Sequence, residues 1–314
     1  MKAFAIDELG QPGSVHDLPV PEPAEGQVRI RIAAAGLNPF DNAVVQGYLK
    51  DRMEHRFPLV PGMDASGTVE ALGEGVESWA VGDEVFGSVG KRYLGEGTLA
   101  ELTTMAAGTV ARKPASVDHT AAAAIPVAGV TALVMADPLE LSEGHVVLAN
   151  GGTGGVGSYF VQIAARRGAR VLAVCRGENA DYARRLGAAE AFDYTADDVA
   201  EAVRSRFPDG IDAIADMHGD AENVARLAEL IRSGGHVASA VGAADADALR
   251  ERGIEGRNVN GMVTRASLDQ LAGMLERGEI VTPEVTTFSL DDVERALAAV
   301  ATGHARGKIV VTMG

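Results

Sequence analysis

The run GGTGGVG at residues 151–157 places five glycines in seven positions, directly after the apolar HVVLA of 145–149. A chain gives up side chains at a bend where positive φ is needed or where something must approach the backbone. HVVLA reads as a short buried strand. Val156, Phe160, Ile163 and Ala164 share one face at helical spacing, and Gly168 stands where that helix should close. The segment is therefore strand, glycine turn, helix. Within it, Gly152, Gly154 and Gly157 form G-x-G-x-x-G: the first for a tight turn, the second for close approach of a pyrophosphate, the third for helix–strand packing. The residues of this elbow, Gly152, Thr153, Gly154, Gly155, Val156 and Gly157, are candidate cofactor contacts, because free N–H groups at a helix start face an anion.

The rest of the chain supplies the context the motif requires. Residues 1–124 read as β-rich: QVRIRIAAAG (27–36) alternates Val28, Ile30 and Ile32 with Arg29 and Arg31, and SGTVEALG (66–73), GDEVFGSVG (82–90) and GTLAELTTM (97–105) follow between glycine turns. From about 125 the rhythm changes. VVLAN, ARVLAVC (169–175), EAFDY (190–194), IDAIAD (211–216), HVASAVG (236–242) and NVNGMVT (258–264) alternate with helical stretches. Among these are ADDVAEAVRSRF (196–207), with Thr195 as its expected cap, and AENVARLAELIR (221–232). Strand–helix alternation implies a parallel sheet covered on both faces, and six strands suit a dinucleotide-binding fold. SLDQLAGMLERG (267–278) reads as a helix and GKIVVTM as a final strand.

The end of the second strand sets cofactor preference. An acid there favours NAD by bonding the adenosine ribose; a basic residue favours the 2′-phosphate of NADP. ARVLAVC runs into Arg176, with Glu178 two residues on. A planar guanidinium matches a phosphate, so NADPH is the expected cofactor, the alternative being that Arg176 is a solvated loop residue.

Composition narrows the remaining classes. A net charge of −16 argues against nucleic acid and against an anionic membrane surface. A single cysteine, Cys175, excludes an internal disulfide, and seven scattered histidines give no H-E-x-x-H pair. No apolar run reaches membrane-spanning length, and the start, MKAFAIDELG, reads as a strand, so a cytoplasmic protein is expected.

The order of segments resembles the zinc-free quinone oxidoreductase branch of the medium-chain dehydrogenase/reductase superfamily. The resemblance runs through AAAGLNPFD (33–41), QGY (46–48), FPLVPGMDASGTVEALGEGVESWAVGDEVFG (57–87), AAAAIPVAGVTAL (121–133), NGGTGGVG (150–157), LGAAEAFDY (186–194), RSGGHVASAVG (232–242) and GHARGKIVV (303–311). It implies an α/β chain: a GroES-like β-barrel catalytic domain from 1–124 and 265–314, and a Rossmann doubly wound parallel sheet from 125–264. It also implies a cleft between them, and commonly a dimer or tetramer assembled through the nucleotide domain, with a homodimer expected here. Zinc-dependent relatives carry ligands where this chain has Asn38, Met63-Asp64 and Val127, so no metal is expected.

The resemblance further implies that Asn38 faces the substrate and that Tyr48 lies over its pocket, although Asn-Pro is also an ordinary turn and Tyr48 could be a half-exposed aromatic. Asp41 fills a family slot and is expected to orient the loop. On the same resemblance, Thr131 is expected against the nicotinamide, Tyr194 beside the adenosine phosphate, and Val241 and Gly242 near the nicotinamide. Lys308 is a further cofactor contact or an exposed strand lysine. Where relatives often carry a phosphate-binding lysine this chain has Ala180, which leaves that role to Arg176. The implied reaction is NADPH-dependent hydride transfer to a quinone or other α,β-unsaturated carbonyl. The alternatives are an enoyl-thioester reductase acting on a CoA or carrier-protein substrate, and a non-catalytic NADPH-binding protein.

Overall fold

Six apolar segments align as parallel strands: β1 (Val146–Asn150), β2 (Arg170–Cys175), β3 (Glu190–Asp193), β4 (Ile211–Asp216), β5 (Ile231–Ser239) and β6 (Glu255–Asn258). Their spatial order is β3-β2-β1-β4-β5-β6, so the chain starts at the centre, runs to one edge, and returns to build the other half. This is the doubly wound order whose reversal lies between β1 and β4. Every residue of β4 is buried, as a strand covered on both faces requires, whereas the edge strand β6 (EGRN) is polar and mostly exposed. Leu148, Leu172, Ile214 and Val237 lie in the apolar core of this sheet.

The computed structural model describes residues 1–314. These divide into two units, Thr131–Met262, which holds the parallel sheet, and Met1–Val130 with Val263–Gly314. In the second unit a seven-stranded sheet is built around Gln27–Gly36, which pairs antiparallel with Asp64–Leu72, Leu102–Ala106 and Lys308–Thr312. Register shifts after Arg29 and Ile32 break its pairing with Asp64–Leu72. The pairing Val310–Gly36, Val311–Ala35, Thr312–Ala34 brings the last strand beside the loop that carries Leu37 and Asn38. A short parallel pair, Glu54–Val60 with Tyr93–Glu96, stands apart from that sheet. No helix is long and apolar enough to cross a membrane.

Several boundaries differ from the sequence expectation for local physical reasons. The helix expected over 196–207 forms only at Val199–Arg206, capped by Asp198, because Thr195 is held in a turn by two bonds to Asp193 Oδ1. The helix expected over 221–232 stops at Ala228, and Ile231 already begins β5 beside Ile211 of β4. The strand expected at 258–264 lies earlier, at Glu255–Asn258. GTLAELTTM forms a strand only from Leu102.

Candidate active site

The glycine elbow closes the carboxyl end of β1. Its left-handed residue is Gly151, at φ 85°, not Gly152, which the motif assigns to the tight turn. Gly152 instead packs on β2: a Cβ there would lie 3.0 Å from the Ala173 Cβ. Gly157 is fixed most strictly, since a Cβ would fall 2.1 Å from the Gly151 carbonyl oxygen. A Cβ on Gly154 would meet nothing closer than 3.6 Å, so the space beyond that backbone is open. Gly154 is the N-cap of the Gly155–Arg166 helix, and no side chain caps it. The amides of the first turn therefore remain available to an anion. Thr153 is buried, and its carbonyl accepts from Ser158 Oγ, which in turn accepts from Tyr182 OH.

Asp216, at the end of β4, is a member of this site that the sequence reading missed. Fully buried, it accepts from Asn150 Nδ2 at 2.8 Å, Ser239 Oγ at 2.7 Å and the Gly219 N–H at 2.7 Å. One carboxylate thus ties the carboxyl ends of β1, β4 and β5 together. Its signal was the polar residue ending each of the three strands, Asn150, Asp216 and Ser239, at the sheet end where such folds bind ligands.

Arg176 follows β2 directly and donates from Nε to the Tyr194 hydroxyl at 3.1 Å. The two residues expected near the adenosine phosphate are therefore side by side, Arg176 half-buried and Tyr194 exposed. Thr131 is buried beneath Gly261, whose Cβ would fall 2.5 Å from the threonine hydroxyl. Val241 and Gly242 follow β5 in an exposed turn, with Gly242 at φ 80°.

The other unit holds a buried ionic cluster. The Lys308 ammonium donates to the Leu37 carbonyl at 2.6 Å and to Asn38 Oδ1 at 2.7 Å, and stands 3.9 Å from Asp64 Oδ2. Asn38 Nδ2 donates to Asp64 Oδ2 at 3.0 Å, and the Val127 N–H donates to both Asp64 oxygens at 3.2 Å. Burial raises the Asp64 carboxyl and lowers the Lys308 ammonium, and their mutual attraction opposes both shifts. Lys308, expected as a cofactor contact or an exposed lysine, is thus buried and turned onto Asn38. Asn38 is almost wholly buried and keeps one amide hydrogen uncommitted.

Asp41 stands in the helix Pro39–Val45 and accepts the Asn38 N–H on Oδ2 at 2.7 Å, a reciprocal cap that fixes the loop. Its other oxygen, Oδ1, is buried without a hydrogen-bond partner. Burial pushes this carboxyl up to about 7; the charge of Asp64 adds to the rise, while the Asn38 and Gly62 N–H groups and Lys308 oppose it. Asp41 lines a cavity of about 130 Å³, walled by Phe40, Val44, Val60, Met63, Val89 and Leu94. Lys91, Tyr93 and Glu96 also border it; Lys91 pairs with Glu96 and donates to Thr104 Oγ1 at 2.9 Å. Tyr48, expected over the substrate, is 76% exposed and does not line this cavity.

Comparison with known proteins agrees with this architecture. Residues 24–115 match the family described as the alcohol dehydrogenase GroES-like domain, and residues 186–311 match one described as zinc-binding dehydrogenase. An NADPH-dependent alkenal/one oxidoreductase of Arabidopsis thaliana is 32% identical over 99% of this chain and 79% of its own length. A 2-methylene-furan-3-one reductase of Solanum lycopersicum is 32% identical over 99% and 79%. Among solved structures, the quinone oxidoreductase from Coxiella burnetii superposes with a TM-score of 0.89 at 27% identity, covering 100% of this chain and 99% of that one. The fold and these relatives together define an oxidoreductase that uses a nicotinamide cofactor. The chain belongs to the medium-chain dehydrogenase/reductase superfamily, in its quinone oxidoreductase branch, with a GroES-like domain joined to a Rossmann-type parallel sheet.

Proposed function

We propose that this chain is a zinc-independent, NADPH-dependent oxidoreductase that delivers hydride to a quinone or another α,β-unsaturated carbonyl. The observation that carries this is the uncapped helix behind the glycine elbow, with Arg176 and Tyr194 paired at the end of the neighbouring strand. The acceptor class follows the names of the relatives, which reduce alkenals, enones and quinones.

Bound NADPH supplies the hydride. The amides of Gly155, Val156 and Gly157 hold its pyrophosphate, Arg176 binds the 2′-phosphate, and Tyr194 covers the adenosine side. Thr131, Val241 and Gly242 contact the nicotinamide end. Asn38, held rigid between Lys308 and Asp64, offers its remaining amide hydrogen to the acceptor oxygen as negative charge develops there, a contribution of about 3 kcal/mol for a preorganised donor. Tyr48 would join it only after moving from its exposed position.

The residues present do not fit zinc. The four positions that correspond to ligands and neighbours in zinc-dependent relatives are an amide, a thioether, a carboxylate and a valine. An ammonium already lies 2.7 Å from the amide oxygen, where a second cation would be repelled. A homodimer assembled through the nucleotide domain and a cytoplasmic location belong to the same proposal.

Turnover tests the reading. NADPH oxidation should be rapid with small quinones and with alkenals or enones, slow with NADH, and insensitive to chelators. Turnover confined to crotonyl-CoA would favour the thioester alternative, and tight NADPH binding without turnover on any acceptor would make this a binding protein.

A further inference from the structure

Among the ionisable groups that line the cavity, Asp41 is the one with a buried oxygen that makes no hydrogen bond. Its capping duty uses Oδ2 alone, and that bond to the Asn38 N–H would hold the loop equally well if the residue were an asparagine. Oδ1 makes no hydrogen bond of its own, although the Gly62 N–H acts on the carboxyl, and it is buried beside Phe40, Val44, Met63 and Val89. A carboxylate oxygen left unpaired in such surroundings is costly, whereas a protonated carboxyl there carries a donor directed by the bond that pins its other oxygen. A cavity of this size admits one ring or a short chain, and its apolar side, formed by Phe40, Val44, Met63 and Val89, suits a planar conjugated acceptor whose one polar atom must find a donor.

We propose that this cavity receives the carbonyl end of the acceptor and that the neutral Asp41 carboxyl is the general acid that protonates its oxygen. The proposal rests on the hydride-transfer reading above. As hydride adds to the conjugated carbon, the carbon–carbon π bond breaks and its electron pair shifts toward the carbonyl oxygen. The Oδ1–H bond then breaks, its proton forms the new O–H of the enol or quinol, and Asp41 is left as a carboxylate. Solvent returns the proton in the next cycle. The charged groups acting directly on Asp41 are Asp64, on the strand Asp64–Leu72, and Lys308, on the last strand, while Lys91, Tyr93 and Glu96 face it across the cavity, with Lys91 and Glu96 paired to each other. Burial, aided by Asp64, holds the carboxyl protonated up to about pH 7. The acid form is lost above that value, so kcat should fall as pH rises through it.

Asp41→Asn separates the roles. Its amide oxygen can still accept the Asn38 N–H and its NH2 can still donate a hydrogen bond, but it cannot release a proton. With a saturating alkenal, kcat should drop about 100-fold while KM and the NADPH dissociation constant stay within about twofold, and the fall of kcat near pH 7 should disappear. Should the variant fold poorly, wild-type infrared difference spectra serve instead. At about pH 6 and without NADPH, binding a saturated ketone, which has no conjugated double bond, should shift the C=O band of a protonated aspartate to lower frequency. A folded Asp41→Asn enzyme with wild-type kcat and pH profile, or a wild type showing no such band, overturns the proposal. Failure of the wild type to turn over any enone or quinone overturns the hydride-transfer reading itself, which keeps the two outcomes distinct.

Discussion

At the scale of single residues, the proposed preference for NADPH rests on Arg176. Its Nε donates to Tyr194, and in the proposed complex the two terminal nitrogens would bind the 2′-phosphate in a forked geometry. Charge-assisted bonds of this kind contribute about 1.5–3 kcal/mol. Arg176→Ala should therefore raise the NADPH dissociation constant by about 10–100-fold and leave that for NADH nearly unchanged, as read by fluorescence titration with both nucleotides. Equal losses for both would mean that Arg176 supports the turn rather than the 2′-phosphate. The place of Arg176 beside Tyr194 was legible because both follow the ends of neighbouring strands in sequence order. The environment of Asn38 was not. Lys308 reaches it from 270 positions away, and no local pattern announces that an ordinary strand lysine will be buried against it. The unpaired oxygen of Asp41 was equally hidden, since it depends on where the Gly62–Met63 loop and the Val60 strand end pack.

At the scale of elements, the strand–elbow–helix segment was the most readable part of the chain. Its spacing follows from backbone sterics alone, although the left-handed turn belongs to Gly151 and the packing role to Gly152. Gly157 shows why the motif is strict. Any side chain there would press on the Gly151 carbonyl, a piece of backbone that cannot rotate away. Gly157→Val should destabilise the protein by about 3 kcal/mol or more, and should weaken NADPH binding beyond what that loss explains, because the first helical turn must move off the strand. Thermal melts with and without NADPH check both: an unchanged melting temperature and an undiminished NADPH-induced rise would contradict the account. Element ends were less legible than element interiors. AENVARLAELIR is helical by pattern throughout, yet Ile231 pairs with Ile211, and that tertiary pairing ends the helix early. Thr195 is a sound N-cap by type, but Asp193 captured it first.

At the scale of the whole molecule, the spatial order β3-β2-β1-β4-β5-β6 explains why the working residues are scattered along the sequence. Residues ending β1, β4 and β5 meet at Asp216, and the final strand of the chain supplies Lys308 to a loop near its start. The alternation of strands and helices foretold a doubly wound sheet, but the three-way junction at Asp216 required the order itself. The central claim is that a hydride passes from NADPH held on the glycine elbow to a conjugated acceptor without a metal. Reduction of an alkenal by NADPH deuterated at the transferable C4 position, in the presence of a chelator, tests it most directly. Mass spectrometry should find one deuterium on the β-carbon of the saturated aldehyde and none on the nicotinamide product. Product without the label, or turnover abolished by the chelator and restored by zinc, would contradict the account.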